Sequence, residues 1–111
     1  MPHCIIEHSA SLDAKLLLPQ VFSSVKNSQL FEPDGSDIKV RATAYQHYLV
    51  GQSQSDFIHV VLNILSGRTT EQKQHLSALV QEALAELKLA PCSITVEVVD
   101  IDRDSYAKVV S

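Results

Sequence analysis

One amine and three cationic side chains hold most of the chemical capacity of this chain. Proline stands at position 2, directly behind the initiator methionine. Methionine before so small a residue is normally trimmed, and the chain would then open on a secondary amine. An α-amino group titrates near ~8, and burial beside a cation lowers an amine's pKa further. A prolyl amine anchored by a strand is therefore a candidate neutral base, and its chemistry would be proton transfer. With Met1 attached, the Pro2 nitrogen is a tertiary amide and no base at all. Lys39 and Arg41 point the same way from one strand-like run and would form a local anion site. Arg68 falls in a turn that opens a helix, where backbone N–H groups and the helix dipole already favour an anion. His47 shares the face of Arg41 and is a further candidate substrate contact. Each cation has a plainer reading as a solvated or interface salt-bridge residue.

The elements that must position these groups follow from pattern. Residues 2–9 read as a first strand, with β-branched Ile5 and Ile6. Leu18, Val21, Phe22 and Val25 recur at helical spacing and predict a helix from about Leu18 to Asn27, with Pro19 in its first turn. An earlier start, at Ser11 or Asp13, would put Pro19 inside the helix and kink it. Pro33 and Asp34-Gly35 mark a turn-rich break. Residues 38–48 alternate as a second strand: Ile38, Val40, Ala42 and Ala44 face one way, with Lys39, Arg41, Thr43, Tyr45 and His47 on the other. Residues 57–65 are apolar enough for a strand largely covered on both faces. Thr69 or Thr70 caps a second helix, whose stripe of Leu76, Leu79, Val80, Ala83, Leu84 and Leu87 runs through Leu89 until Ala90-Pro91 stops it. Ile94, Val96 and Val98 form a fourth strand, out to about Ile101. The order is βαβ twice over. Right-handed crossovers would place both helices on one face of a four-stranded sheet. The other face is left bare, apolar positions of the third and fourth strands included, which predicts association.

Composition narrows the function. At 111 residues with 45% hydrophobic and 20% charged side chains, the chain is one ordinary globular domain, residues 1–111. A formal charge of −4 and scattered basic residues give no footprint for nucleic acid. No apolar run reaches the ~20 residues of a membrane span, and no signal peptide opens the chain. Cys4 and Cys92 read as unreactive free thiols, and the expected location is the cytoplasm. His3, His8, His47, His59 and His75 match no zinc spacing and read as packed or surface histidines.

The opening Pro2-His3 with Ile5 and Glu7, the cationic strand Ile38-Lys39-Val40-Arg41, and the second half from Phe57-Ile58-His59 to Gly67-Arg68 resemble a known family. That family is 5-carboxymethyl-2-hydroxymuconate Δ-isomerase, of the tautomerase superfamily with an amino-terminal catalytic proline. The resemblance spans nearly the whole chain. It implies an α+β tautomerase-like fold, a homotrimer with sites at subunit interfaces, and neither metal nor organic cofactor. It also implies a double-bond shift or keto-enol interconversion in an unsaturated hydroxy-dicarboxylate. Pro2 would shuttle the proton, Arg68 would act with it in catalysis, and Arg41 would bind the substrate with Lys39 assisting. The family pattern carries I-R-x-R, so Lys39 is a departure that keeps the charge and loses the bidentate fork. Two other outcomes fit the same fold: a non-catalytic trimeric binding or scaffold protein, and a phenylpyruvate-like keto-enol tautomerase.

Overall fold

Strand β1 (His3–Ser9) begins immediately behind Pro2 and alternates cleanly, burying Cys4, Ile6 and His8 while His3, Ile5 and Glu7 turn away. The computed structural model describes all residues, 1–111, as β1, α1 (Ala14–Asn27), β2 (Lys39–Tyr45), β3 (Asp56–Leu65), α2 (Thr70–Ala85) and β4 (Cys92–Ile101). The sheet order is β2-β1-β3-β4. β1 runs parallel to β2 and β3 parallel to β4, while β1 and β3 meet antiparallel at the centre. Two βαβ units thus join back to back. A parallel pair cannot close through a hairpin, so each unit needs its helix as a crossover. Both helices pack on one face, where Ile6, Ile58, Val60, Leu62 and Ile64 meet Leu17, Val21 and Val25 of α1 and Leu76, Val80 and Leu84 of α2. Burying each Leu or Ile side chain there stabilises the fold by roughly 1.5–3 kcal/mol.

The α+β class and the two βαβ units agree with the sequence reading, but four boundaries differ by two residues or more. Helix α1 starts at Ala14, where the Asp13 carboxylate accepts the Lys15 N–H at 2.9 Å and caps it. Pro19 is therefore interior and not in the first turn, and the buried stripe gains Leu17 and Ser24 at the expense of half-buried Leu18. β2 stops at Tyr45, so His47 lies in the loop beyond it. β4 begins at Cys92 and not Ile94, because its parallel ladder with β3 starts at Asp56 and Cys92. α2 is capped at Thr69, whose hydroxyl and the Gln72 side chain satisfy each other's backbone N–H groups. It ends at Ala85 and not Leu89, since the chain reverses through Lys88 at φ +54°. Leu87 and Leu89 pack against the core from that reversal.

This topology sorts the sheet into two ends. His3 pairs with Lys39 on one side and Asn63 on the other. The Ser66 N–H reaches the Ile101 carbonyl at 3.0 Å. One end therefore collects the starts of β1 and β2 with the finishes of β3 and β4. The loop before β2 is pinned there by Gly35, which turns at φ +74°. A β-carbon on Gly35 would lie 2.7 Å from Cζ of Phe22 in α1, so no side chain fits.

The face away from the helices carries Lys39, Arg41, Thr43 and Tyr45 of β2, His3, Ile5 and Glu7 of β1, His59, Val61 and Asn63 of β3, and Thr95, Glu97 and Val99 of β4. It is bare, as the pattern predicted, but mixed in character. Val61 lies between Ile5 and Glu97 in register, and Val99 is 37% exposed. Cross-strand polar pairs fill the rest: Tyr45 donates to Glu7 at 2.8 Å, and His59 bonds Thr95 at 2.7 Å and Glu97 at 2.8 Å. The half-exposed β3 face is a correction to the reading of a strand covered on both sides.

Candidate active site

Pro2 is buried at the collecting end of the sheet, and its carbonyl accepts the Lys39 N–H at 3.1 Å. That bond ties the first residues of the chain to the start of β2. Met1 projects beyond, its ammonium group 3.6 Å from the Asp37 carboxylate. The Lys39 ammonium approaches the Met1 sulfur at 3.2 Å. Beside the terminus opens a pocket of about 470 Å³, lined among others by Met1, Phe31, Asp37, Leu65, Arg68 and Arg103. A hollow of about 590 Å³ at the C-terminal end of α1 is larger, but Lys26 is its only charged residue and it lacks the terminus.

Arg68 enters this pocket because β3 runs antiparallel to β1 and finishes beside its start. The Ser66-Gly67 turn, with Gly67 at φ +119°, follows, and the next residue lines the pocket beside Met1. Its guanidinium donates to the Leu30 carbonyl and lies over the Phe31 ring, 5.6 Å from the centroid. Arg103 arrives from the end of β4, its Nε and Nη2 donating to the Ser66 carbonyl at 3.1 and 3.0 Å. Arg41 stays on the open sheet face, one register step from the pocket, and its Nη1 donates to His3 Nδ1 at 3.4 Å. A guanidinium can only donate, so His3 carries its proton on Nε2 and passes it to the Tyr106 hydroxyl at 2.9 Å. Burial, then the charges of Arg41, Lys39 and the chain terminus, hold His3 below its ordinary pKa of 6.5. His3 is thus a neutral spacer between cations.

The family model described as 5-carboxymethyl-2-hydroxymuconate isomerase matches residues 2–109. The chain belongs to this family. The family is one of isomerases. Solved structures share its fold. The Pt0534 protein inactivated by 2-oxo-3-pentynoate superposes with a TM-score of 0.82 at 20% identity, over 96% of this chain and 90% of that one. A 5-carboxymethyl-2-hydroxymuconate isomerase from Deinococcus radiodurans R1 gives 0.71 at 21% identity, over 99% and 90%. The Q0 fused 4-OT wild-type symmetric trimer gives 0.79 at 16% identity, over 96% and 90%. No curated protein matches the chain.

Within this isomerase family fold, Pro2 and Lys39 meet through a backbone hydrogen bond, Arg68 lines the pocket beside Met1, and Arg41 lies on the adjoining sheet face. It does not bring His47 to them. His47 lies past the finish of β2, at the opposite end of the sheet from Pro2, because a parallel partner of β1 must end where β1 ends. The expected sharing of a face with Arg41 ends with β2 at Tyr45. Sequence reasoning passed over Asp37, Phe31 and Arg103. The signal for Arg103 was topological: a residue just past a strand parallel to β3 must reach the same end as Arg68. No three His, Cys, Asp or Glu side chains are grouped so as to hold a metal ion.

Proposed function

We propose that the chain, once Met1 is removed, moves a proton within an unsaturated hydroxy-dicarboxylate, using the Pro2 amine as its base. The observation that carries this reading is the burial of Pro2 beside a pocket that Arg68 lines, in a chain of this isomerase family. The free prolyl nitrogen takes a proton from the substrate, and charge moves through the conjugated system onto an oxygen. The same ammonium then returns the proton at another carbon, so the double bond shifts with no net change in atoms. Arg68 faces the developing oxyanion and a carboxylate, with Arg41 and Lys39 as further anion contacts. Fixed donors in a site shielded from water stabilise such charge more than water would. Fused 4-OT relatives form trimers, and a homotrimer is proposed here too, with the open sheet face covered and Arg41 brought into an interface site. Two unpaired thiols, Cys4 and Cys92, fit the reducing cytoplasm.

The test is kinetic. Pro2→Ala protein, its mass confirming loss of methionine, is compared with wild type on a ketonisable dienol dicarboxylate. A fall in kcat of about 10²–10⁴-fold with an unchanged melting temperature is expected, the usual weight of a positioned base. Unchanged turnover would sink the reading. Retained Met1 in the wild-type protein would sink it as well. That second outcome favours a trimeric scaffold, the reading to which the Met1–Asp37 pairing lends itself.

A further inference from the structure

The chain has only three arginines, Arg41, Arg68 and Arg103, and 13 acidic side chains. None of the three pairs with a carboxylate; the ion pairs are Met1 with Asp37, His59 with Glu97, and Lys73 with Asp100. Two of them, Arg68 and Arg103, line the pocket at the end of the sheet where the chain begins, which Glu32 and Asp37 also line, while Arg41 stays on the open sheet face. Unpaired guanidinium groups gathered in one place repel each other, and an incoming anion relieves that repulsion. Arg68 and Arg103 line one pocket with the terminus, and both are fastened to backbone around the Ser66-Gly67-Arg68 turn. Arg103 is held by Nε and Nη2 on a single carbonyl, which leaves the Nη1 end of its fork uncommitted. The nearest carboxylate in sequence is occupied elsewhere. Asp102 accepts the Asp104 N–H at 3.2 Å and the Ser105 hydroxyl at 2.9 Å, closing its own turn.

We propose that Arg103 is a specificity-determining residue that holds the substrate carboxylate Arg68 does not hold. The assignment rests on the proton-transfer reading of this pocket and adds to it the second anchor for a dianion. A fork fixed on one side by a backbone carbonyl is already oriented, so little rotamer freedom is lost when a carboxylate docks. An arginine in this position makes the site discriminate by charge count. A monoanion satisfies one guanidinium and leaves the other facing an empty pocket.

Calorimetric titration with cis,cis-muconate and with its monomethyl ester reads this directly, because neither ligand carries the hydroxyl needed for turnover. Wild-type protein binds the dianion at least tenfold more tightly, the worth of one charge-assisted hydrogen-bonded contact. Arg103→Met loses that preference with ester binding unchanged, and Arg103→Lys restores part of it. Equal weakening of both ligands, a preference that survives Arg103→Met, or no preference in wild type would overturn the assignment. Turnover by Pro2→Ala separates the two proposals. If Pro2→Ala keeps full turnover, the base is wrong while the Arg103 result stands. If Pro2→Ala is inactive and Arg103→Met still prefers the dianion, Arg103 is wrong while the base stands.

Discussion

His3 shows how a single side chain is shaped by its neighbours here. It stands between the Arg41 guanidinium and the Tyr106 hydroxyl, with the chain terminus and Lys39 close by. Its folded pKa lies below 6.5, so on acidification the unfolded chain takes up this proton first. By linkage, stability is intact above about 6.5 and is lost as pH falls through the window between that value and the lowered folded one. Urea melts of wild type and His3→Gln at several pH values from 7.5 to 5 should show a flatter pH dependence in the variant. Identical slopes would exclude His3 as the source. Cys4 illustrates the opposite demand. Burial pushes its thiol up to about 12, and it behaves as an apolar core residue. Residue types alone made Pro2, Arg41 and Arg68 legible as candidates. Arg103 and Asp37 were not, since an exposed arginine in a polar tail and an aspartate in a turn carry no signal without knowing which strand ends meet.

At the scale of elements, α1 carries the clearest conflict between local chemistry and tertiary need. The sequence pattern favoured a start at Leu18 because Pro19 suits a first turn. The helix instead starts at Ala14, because Asp13 supplies a cap and Leu17 belongs to the core. Pro19 then removes the N–H that would bond the Lys15 carbonyl, and its ring crowds that turn. Pro19 is exposed, so replacing it disturbs no packing. Pro19→Ala should raise the unfolding free energy by roughly 1–3 kcal/mol in denaturant melts, the interior proline penalty less the gain in unfolded-state freedom. No gain would mean that the helix is already distorted to suit the proline. The strands were easier to read than the helix ends, because alternation over β2 and β4, and β-branched or apolar runs at β1 and β3, survive changes of a residue or two at their limits. Ends depended on caps and reversals: a cap at Thr69 or Thr70 was visible in sequence, whereas the Gln72 half of the capping box and the turn through Lys88 at φ +54° were not.

For the whole molecule, the two-sided sheet is the deciding feature. Helices cover one side, and the other presents Ile5, Val61 and Val99 among polar pairs. The bare face was legible from the order of elements and the handedness of crossovers. Its mixed character was not, because an apolar run such as 57–65 does not reveal that His59 and Asn63 share a face with Val61. If that face closes a trimer, sedimentation should give three times the 12.2 kDa of one chain. Val61→Asp places an unpaired charge at the centre of the face. It should shift the sedimenting species to the monomer and reduce turnover with it. A wild-type monomer, or a Val61→Asp trimer with full activity, would rule out this face as the interface.

The antiparallel meeting of β1 and β3 sets the two βαβ halves of the chain head to tail. Each half offers a corner where a strand begins. Their chemistry cannot be the same. The corner at β1 is a chain end, where trimming can expose an amine with a lone pair. The corner at Asp56 is continuous backbone, and an amide nitrogen is not basic at any pH the fold tolerates. No side-chain substitution can equalise them; only a break in the chain could. On the proposal that the Pro2 amine is the base, a repeated βαβ architecture has one proton-handling corner per subunit, set by the connectivity of the polypeptide instead of by its side chains.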